Sequence, residues 1–135
     1  MAVILKKPRL YLKSERLMTF QNWPFGSENK CNSQKMAEAG FYSISTCDDD
    51  ADTAKCFLCG KELDGWEADD DPWMEHLSHA PKCAFVKLRK DEDEQSVSEL
   101  LYIILQYKIN DIIRMGDEVK ANIDKKVASR KRQRH

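Results

Sequence analysis

Four residues constrain this chain more than any others: Cys56, Cys59, His76 and Cys83, in the spacing Cys-x2-Cys-x16-His-x6-Cys. Two thiols three positions apart, on a turn ending in Gly60, present both sulfurs to one point. An imidazole and a third thiol complete four soft N/S ligands with no open position, the donor set of a structural, tetrahedral zinc ion. Five cysteines is an odd number, and Met1–Leu5 runs at once into Lys6, Lys7 and Pro8. That start is too short for a secretory segment, which needs about 7–15 apolar residues. A disulfide framework is therefore disfavoured and metal binding favoured. No βαβ pattern surrounds the Cys-x2-Cys pair, which argues against a redox role. On spacing alone His79, one helical turn beyond His76, stays open as an alternative ligand. Cys31 and Cys47 read as ordinary thiols.

Charge is the second constraint. The 135 residues carry 22 Lys+Arg and 23 Asp+Glu, a formal net charge of −1. This near-neutrality is a cancellation. Between Thr46 and Glu75 eleven carboxylates face only Lys55 and Lys61, a net of −9. The far end holds Lys125, Lys126, Arg130, Lys131, Arg132 and Arg134. The total excludes a uniformly basic nucleic-acid binder and a highly charged disordered chain. The acidic window surrounds the candidate metal site, so it is read as an attractor for a basic ligand. Whether the basic tail meets DNA, serves as a nuclear import signal or is only solvated stays open. The longest strictly apolar run, Leu100–Leu105, is far short of the roughly 20 residues a membrane-spanning helix needs. No nucleophile–base pair, phosphate-cradling loop or nucleotide fingerprint is present, so the reading is non-enzymatic.

The expected class is α+β: a small zinc domain of short helices around a three-stranded antiparallel sheet, followed by one long C-terminal helix. The expected organisation is an N-terminal tail over 1–14, a zinc domain over 15–90, an acidic linker over 91–95, an amphipathic helix over 96–131 and a basic tail over 132–135. Within the domain, Ser14 is expected to cap a helix running to about Gln21, ahead of Trp23-Pro24. Ser33 is expected to cap a helix over Gln34–Ala39 that ends at Gly40. Strands are expected at Phe41–Ile44, about Thr53–Leu58 and Lys61–Leu63. Asp71-Pro72 reads as an N-cap followed by proline at the first helical position, starting a helix that stops before Pro81.

Ser96-x-x-Glu99 is a capping box for the long helix. Leu100, Leu101, Ile104, Leu105, Ile109, Ile112, Val119 and Ile123 recur mostly at steps of three, four and seven, one helical face. About 36 residues make a helix of about 54 Å, longer than the domain can cover. Around Leu100–Leu105 the apolar surface exceeds one face. A trimeric coiled coil or bundle with partner helices is therefore expected, in preference to packing on the chain's own domain. A homodimer of the isolated chain and a heterotrimer through the helix both stay open.

Three stretches carry a family resemblance: Arg16-x-x-Thr19-Phe20-x-x-Trp23-Pro24, then Met36-Ala-Glu-Ala-Gly-Phe-Tyr42, then the Cys/His frame with Gly65-Trp66-x-x-Asp69-Asp70-Asp71-Pro72-Trp73. Over about residues 15–88 they resemble a baculovirus IAP repeat, or BIR domain, of the inhibitor-of-apoptosis family. One such domain before one long helix, with too few cysteines for a RING module, resembles the survivin group within it. The resemblance is to an invertebrate member; the basic tail after Val127 and the Leu100–Leu105 patch depart from vertebrate members, which leaves the register with partner helices open.

The resemblance implies a great deal. It assigns His76, not His79, to zinc. It implies a non-enzymatic subunit of the chromosomal passenger complex, whose C-terminal helix bundles with borealin and with the inner centromere protein that carries Aurora B kinase. It implies a BIR groove that reads the free N-terminus of a histone H three tail phosphorylated on its third residue, a threonine. Location would be the nucleus and mitotic centromeres, later the spindle midzone, and otherwise the cytoplasm. In this sequence Asp64 and Asp70 are placed to take the amine and the arginine that follows. Leu63 and Trp66 would wall a pocket for the first side chain. Lys61 and His79 would hold the phosphate, Glu75 would fix His79 or touch the peptide, and Asp50 and Asp52 would meet a downstream lysine. Caspase or IAP-antagonist binding through the same groove is the alternative. Domains of that kind usually carry tryptophan at the His79 position, and an imidazole suits phosphate better.

Overall fold

A computed structural model of the chain describes residues 7–133. The first six residues of the expected N-terminal tail and Arg134–His135 of the basic tail lie outside the described residues. The element order is α1 (Lys13–Met18), α2 (Ser33–Glu38), β1 (Phe41–Ser43), β2 (Ala54–Cys56), β3 (Glu62–Leu63), α3 (Pro72–His79), α4 (Ala84–Leu88) and α5 (Val97–Gln133), with 3₁₀ turns at Asp48–Asp50 and Glu92–Glu94. The three strands form an antiparallel sheet in the order β1-β2-β3, with Phe41 opposite Cys56 and Ala54 opposite Leu63. The α+β class and the single long C-terminal helix are as expected.

Alternation along the strands sends Phe41, Ala54 and Cys56 inward, where they are buried. They meet Met36 and Ala37 of α2, Phe85 and Val86 of α4, and Phe57, Leu58 and Trp66 from the loops. Gly40 ends α2 at φ 95°, and a Cβ there would come within 2.9 Å of the Phe85 ring. Glycine is required both for the left-handed turn and for that close approach.

Two expected caps are corrected. The first helix begins at Lys13 with Leu12 as its N-cap, and Ser14 sits inside it. The orphan Lys13 N–H instead donates to the Glu92 carboxylate at 2.7 Å. That acid is distant in sequence, so a local capping rule does not find it. The helix stops at Met18 rather than Gln21, because the Thr19 hydroxyl donates back to Arg16 O (2.6 Å) and accepts from Ser43 N–H (2.8 Å). In the second helix Asn32, not Ser33, is the cap, accepting from Lys35 N–H at 2.9 Å. Asp71 caps α3 as expected, with Pro72 at N1. The α4 turn was not anticipated: Cys83 precedes it without a side-chain cap.

Arg16 explains why its motif holds together. The residue is 1% exposed. Its Nε donates to Ala37 O at 2.9 Å and its Nη1 to Leu10 O at 3.0 Å, with the guanidinium 4.6 Å from the Phe57 ring centroid. Burial pulls its pKa down to about 10, against the opposing pull of Glu92, Cys56 and Asp91. Removing it takes a charged donor from Ala37 O and Leu10 O and empties the space over two rings. Arg16→Ala is expected to cost about 3–5 kcal/mol, in the range for breaking a buried charged network. Urea unfolding of the metal-loaded protein checks this.

The long helix starts with the expected capping box: Ser96 N–H donates to Glu99 Oε1 (3.0 Å), and Glu99 N–H donates to Ser96 Oγ (3.1 Å). Its 37 residues span about 55 Å. The preference for partner helices over self-packing needs a correction in its first half. Ile103 is buried, Tyr107 packs edge-on against Tyr11 at 5.4 Å, and Asn110 Nδ2 donates to Leu58 O at 3.0 Å. Ile103 and Tyr107 lie off the face picked out by spacing. Leu100 and Ile104 are half-buried, whereas Leu101, Leu105, Ile109, Ile112, Val119 and Ile123 are exposed. The acidic stretch before the helix is tied down by Lys13, whose Nζ lies 2.8 Å from both Asp91 and Asp93. No helix among the described residues is long and apolar enough to cross a membrane.

Candidate metal centre and peptide groove

The β2–β3 hairpin carries the first two ligands. Cys56 ends β2, and a tight turn returns through Gly60, whose N–H donates to Cys56 O at 3.1 Å. The Leu58 and Cys59 N–H groups point at Cys56 Sγ from 3.4 and 3.5 Å. Capped α3 supplies His76, and the chain beyond Pro81 supplies Cys83. The four ligand atoms lie within 4.8 Å of one another. Cys56 Sγ is 3.9 Å from Cys83 Sγ, and Cys59 Sγ is 3.6 Å from His76 Nε2. The Cys56–Cys83 and Cys59–His76 separations match the edges of about 3.7 Å of a tetrahedron with Zn–S near 2.3 Å, so the donor set suits a zinc ion once the wider pairs, within 4.8 Å, draw in.

His76 Nδ1–H donates to Ala39 O at 2.7 Å. That bond fixes the tautomer and leaves the Nε2 lone pair on the cluster. Phe41 covers the ring at 4.7 Å. Hydrogen bonding from Cys56, then from Cys59, pulls the Cys83 thiol down into the thiolate range, while burial pushes Cys56 up. The spacing left His79 open, and geometry decides against it: the residue is exposed, with Nδ1–H donating to Glu75 O at 2.9 Å. Cys31 is buried beside Met36, and burial raises its thiol to about 12. Cys47 is exposed, and no disulfide is present among the described residues.

Beside the metal cluster, Leu63, Asp64, Gly65, Trp66, Asp70, Glu75 and His79 line one cavity of about 220 Å³. All five residues expected to take the peptide terminus, and His79, are thus brought together. Trp66 is 7% exposed and serves two roles. It packs on Phe41 at 5.3 Å inside the core, and its remaining edge walls the cavity. Its Nε1 donates to Leu63 O at 3.2 Å. Glu75 Oε2 lies 3.7 Å from His79 Nδ1. The ion pairs of the described residues include neither Asp64 nor Asp70.

Three expected residues stand apart from that lining. Lys61 is exposed just before β3 and does not line the cavity. Asp52 Oδ2 accepts from Gly65 N–H at 2.8 Å. The Asp50 carboxylate accepts from Cys47 and Thr46 N–H groups and from the Ser45 and Thr46 hydroxyls, and these bonds hold it near pKa 2. Asp70 Oδ2 likewise accepts from Glu67 N–H at 2.8 Å. Much of the acidic window is thus fastened to its own loops. The charge runs showed where the acids are but not which lone pairs remain available.

The family model for the BIR, or Inhibitor of Apoptosis, domain matches residues 16–87. The mouse protein "Baculoviral IAP repeat-containing protein 5" is 46% identical over 106 residues, covering 78% of this chain and 75% of its own. A Xenopus laevis relative, "Baculoviral IAP repeat-containing protein 5.2-A", is 46% identical over 99 residues, covering 73% and 62% respectively. Among solved structures, the crystal structure of the autoinhibited dIAP1-BIR1 domain superposes with a TM-score of 0.52 at 28% identity, over 76% of this chain and 93% of that one. Members of this family act as non-catalytic interaction modules. The chain belongs to the inhibitor-of-apoptosis family, as a single-BIR protein of its survivin group.

Proposed function

We propose that this chain reads a phosphorylated histone tail and serves as a scaffold subunit of the chromosomal passenger complex, with one structural zinc at Cys56, Cys59, His76 and Cys83. In this reading residues 15–90 are the reader and 96–131 the scaffold helix. The helix bundles with borealin-like and inner-centromere-protein-like helices, and the latter brings Aurora B. The complex then gathers at mitotic centromeres and later at the spindle midzone.

The observation that supports the reading most is the small acidic cavity itself. Leu63 and Trp66 offer it apolar walls for the methyl group of a first alanine. Asp64 and Asp70 stand beside it with no cation of the described residues paired to them, ready for an α-amine and an arginine. His79, oriented by Glu75, stands at the rim, where a phosphate on the third residue would come, and Lys61 would reach that phosphate from outside the lining, on the β2–β3 turn. Asp52, whose Oδ1 accepts no hydrogen bond among the described residues, is open to a downstream lysine, whereas Asp50, already accepting from its own loop through both oxygens, would offer that lysine only its charge. The exposed stripe from Leu101 to Ile123 supports the helix-bundle part, because a face of that size is covered in a stable assembly.

The test measures tail peptides of sequence Ala-Arg-Thr-Lys against His79→Ala and Lys61→Ala. Each is expected to lower affinity for the phosphorylated peptide about tenfold, in line with about 1.5–3 kcal/mol for a charge-assisted hydrogen bond, partly screened here. Affinity for the unphosphorylated peptide should change little. Indifference of both variants to phosphate contradicts the phosphate role. Inhibition of a purified caspase at micromolar protein would favour the alternative, caspase-directed reading.

A further inference from the structure

The last third of α5 is the strongest charged feature that the groove and the partner-helix stripe leave unused. From Val119 to Arg132 it carries Lys120, Lys125, Lys126, Arg130, Lys131 and Arg132 against Asp124 alone, a net of +5. Every one of these residues is exposed. The last ion pair along the helix among the described residues is Arg114–Glu118, so none of the six cations has a carboxylate partner there. Cations in the last turn are offset by the helix dipole, which covers Arg130, Lys131 and Arg132. Lys120, Lys125 and Lys126 lie further back, where that effect has faded, and Lys126 and Arg130 repel each other at i,i+4.

Rigid geometry keeps this charge away from the acidic face. The helix leaves its own domain after Asp111, and 21 residues at 1.5 Å put Arg132 about 32 Å beyond it. That is several Debye lengths at physiological salt, so the two ends of the molecule do not neutralise each other. We propose that the tip of α5, Lys120–Arg132, is a docking surface for the phosphate backbone of B-form duplex DNA.

The arrangement of charge favours a duplex over a lipid surface. Val119, Ile123 and Val127 continue the apolar stripe at four-residue steps, and at 100° per residue Lys125 and Arg132 fall on the opposite side of the helix. A helix that lies on a membrane needs an apolar face, and in the proposed bundle partner helices cover this one. The cations that point away from the stripe stay exposed in such a bundle, where they can meet the phosphates of a duplex backbone. The site is independent of the peptide groove, overlaps the apolar stripe along the helix but faces away from it, and rests on the proposed bundling of that stripe.

The experiment uses the full zinc-loaded chain and a fluorescent 20-base-pair duplex of mixed sequence, followed by anisotropy from 50 to 200 mM KCl. Neutralising four to five phosphates predicts a log–log salt slope of about −4, hence a loss of about two orders of magnitude in affinity over that range. The variant Lys125→Gln/Lys126→Gln/Arg130→Gln/Lys131→Gln keeps good helix formers. It should bind at least about 30-fold more weakly at 50 mM and more than halve the slope. Lys125→Arg/Lys126→Arg/Lys131→Arg should bind like the parent. Circular dichroism at 222 nm checks that the helix persists in both. Absence of binding by the parent at 50 mM overturns the proposal. So do a slope near zero, full binding by the glutamine variant with its helix intact, and tighter binding to vesicles containing 30% phosphatidylserine than to the duplex.

Discussion

Removal of the metal is expected to abolish the cooperative unfolding transition of the BIR domain. Four ligands come from three separate segments, the β2–β3 turn, α3 and the chain entering α4, which otherwise meet through ring contacts such as Phe57–Phe85 and Trp73–Phe85. The domain is small, and a folded chain retains only about 5–15 kcal/mol of net stability. Structural zinc contributes apparent binding energies of about 10–16 kcal/mol in comparable sites, so its loss exceeds the margin. Cys83→Ser, or an excess of chelator on the unmodified protein, should eliminate the thermal transition and expose Trp66 to solvent, as read by a red-shifted tryptophan emission. Cys47→Ser should leave the melt unchanged, because that thiol is exposed and remote from the cluster. The pH direction follows from the ligands. Burial raises the Cys56 thiol, and its proton must leave before zinc binds, so acid displaces the metal and mild alkali favours loading. A chelated protein that still melts cooperatively at the same temperature contradicts this account.

The second large effect is expected at the amine end of the groove. If Asp64 and Asp70 hold the α-amine and the arginine that follows it, acetylating the peptide N-terminus removes a cation and one donor together. Breaking such a desolvated charge pair costs about 2–5 kcal/mol, so affinity should fall by about 100-fold or more. The protein-side counterpart is Asp70→Asn rather than Asp70→Ala. Asparagine keeps an oxygen for the Glu67 N–H that Asp70 already binds at 2.8 Å, so the loop survives while the charge is lost. The double variant Asp64→Asn/Asp70→Asn should match the effect of acetylation, and acetylation should then add little further. Titration calorimetry on the four combinations measures this coupling. Additive losses contradict a shared contact.

What could be read before folding was whatever is local in sequence. The Cys/His frame, the Asp71-Pro72 start of α3 and the Ser96/Glu99 capping box each express their geometry within a few residues, and the structure reproduces them. What could not be read depends on residues brought together from afar. Lys13 N–H is capped by Glu92, and its amine is clamped by Asp91 and Asp93, so no scan of residues near Ser14 finds the true helix start. Ile103 and Tyr107 look like ordinary members of an apolar helix until the domain surface that receives them is known. Arg16 enters the sequence only as a motif residue, and its burial under Phe57 and Phe85 depends on rings brought from afar. The acidic window shows the same limit. Its charge was evident, but Asp50, Asp52 and Asp70 each spend part of their hydrogen-bonding capacity on neighbouring N–H groups.

The organisation that results separates tasks along one chain. The zinc cluster holds α3 against the β2–β3 hairpin, and this places Asp70, Glu75 and His79 around the same small cavity as Leu63 and Asp64. The docked first half of α5 carries the helix away from that face, and its exposed stripe and basic tip remain available to other molecules. The central claim is that the cavity reads an amino terminus together with a phosphate on the third residue. The most direct measurement is calorimetric titration of the unmodified, zinc-loaded chain with Ala-Arg-Thr-Lys peptides that carry a free amine, with and without phosphate on the threonine. The account predicts that the phosphorylated peptide binds at least about tenfold more tightly. Equal affinity for the two peptides would contradict it.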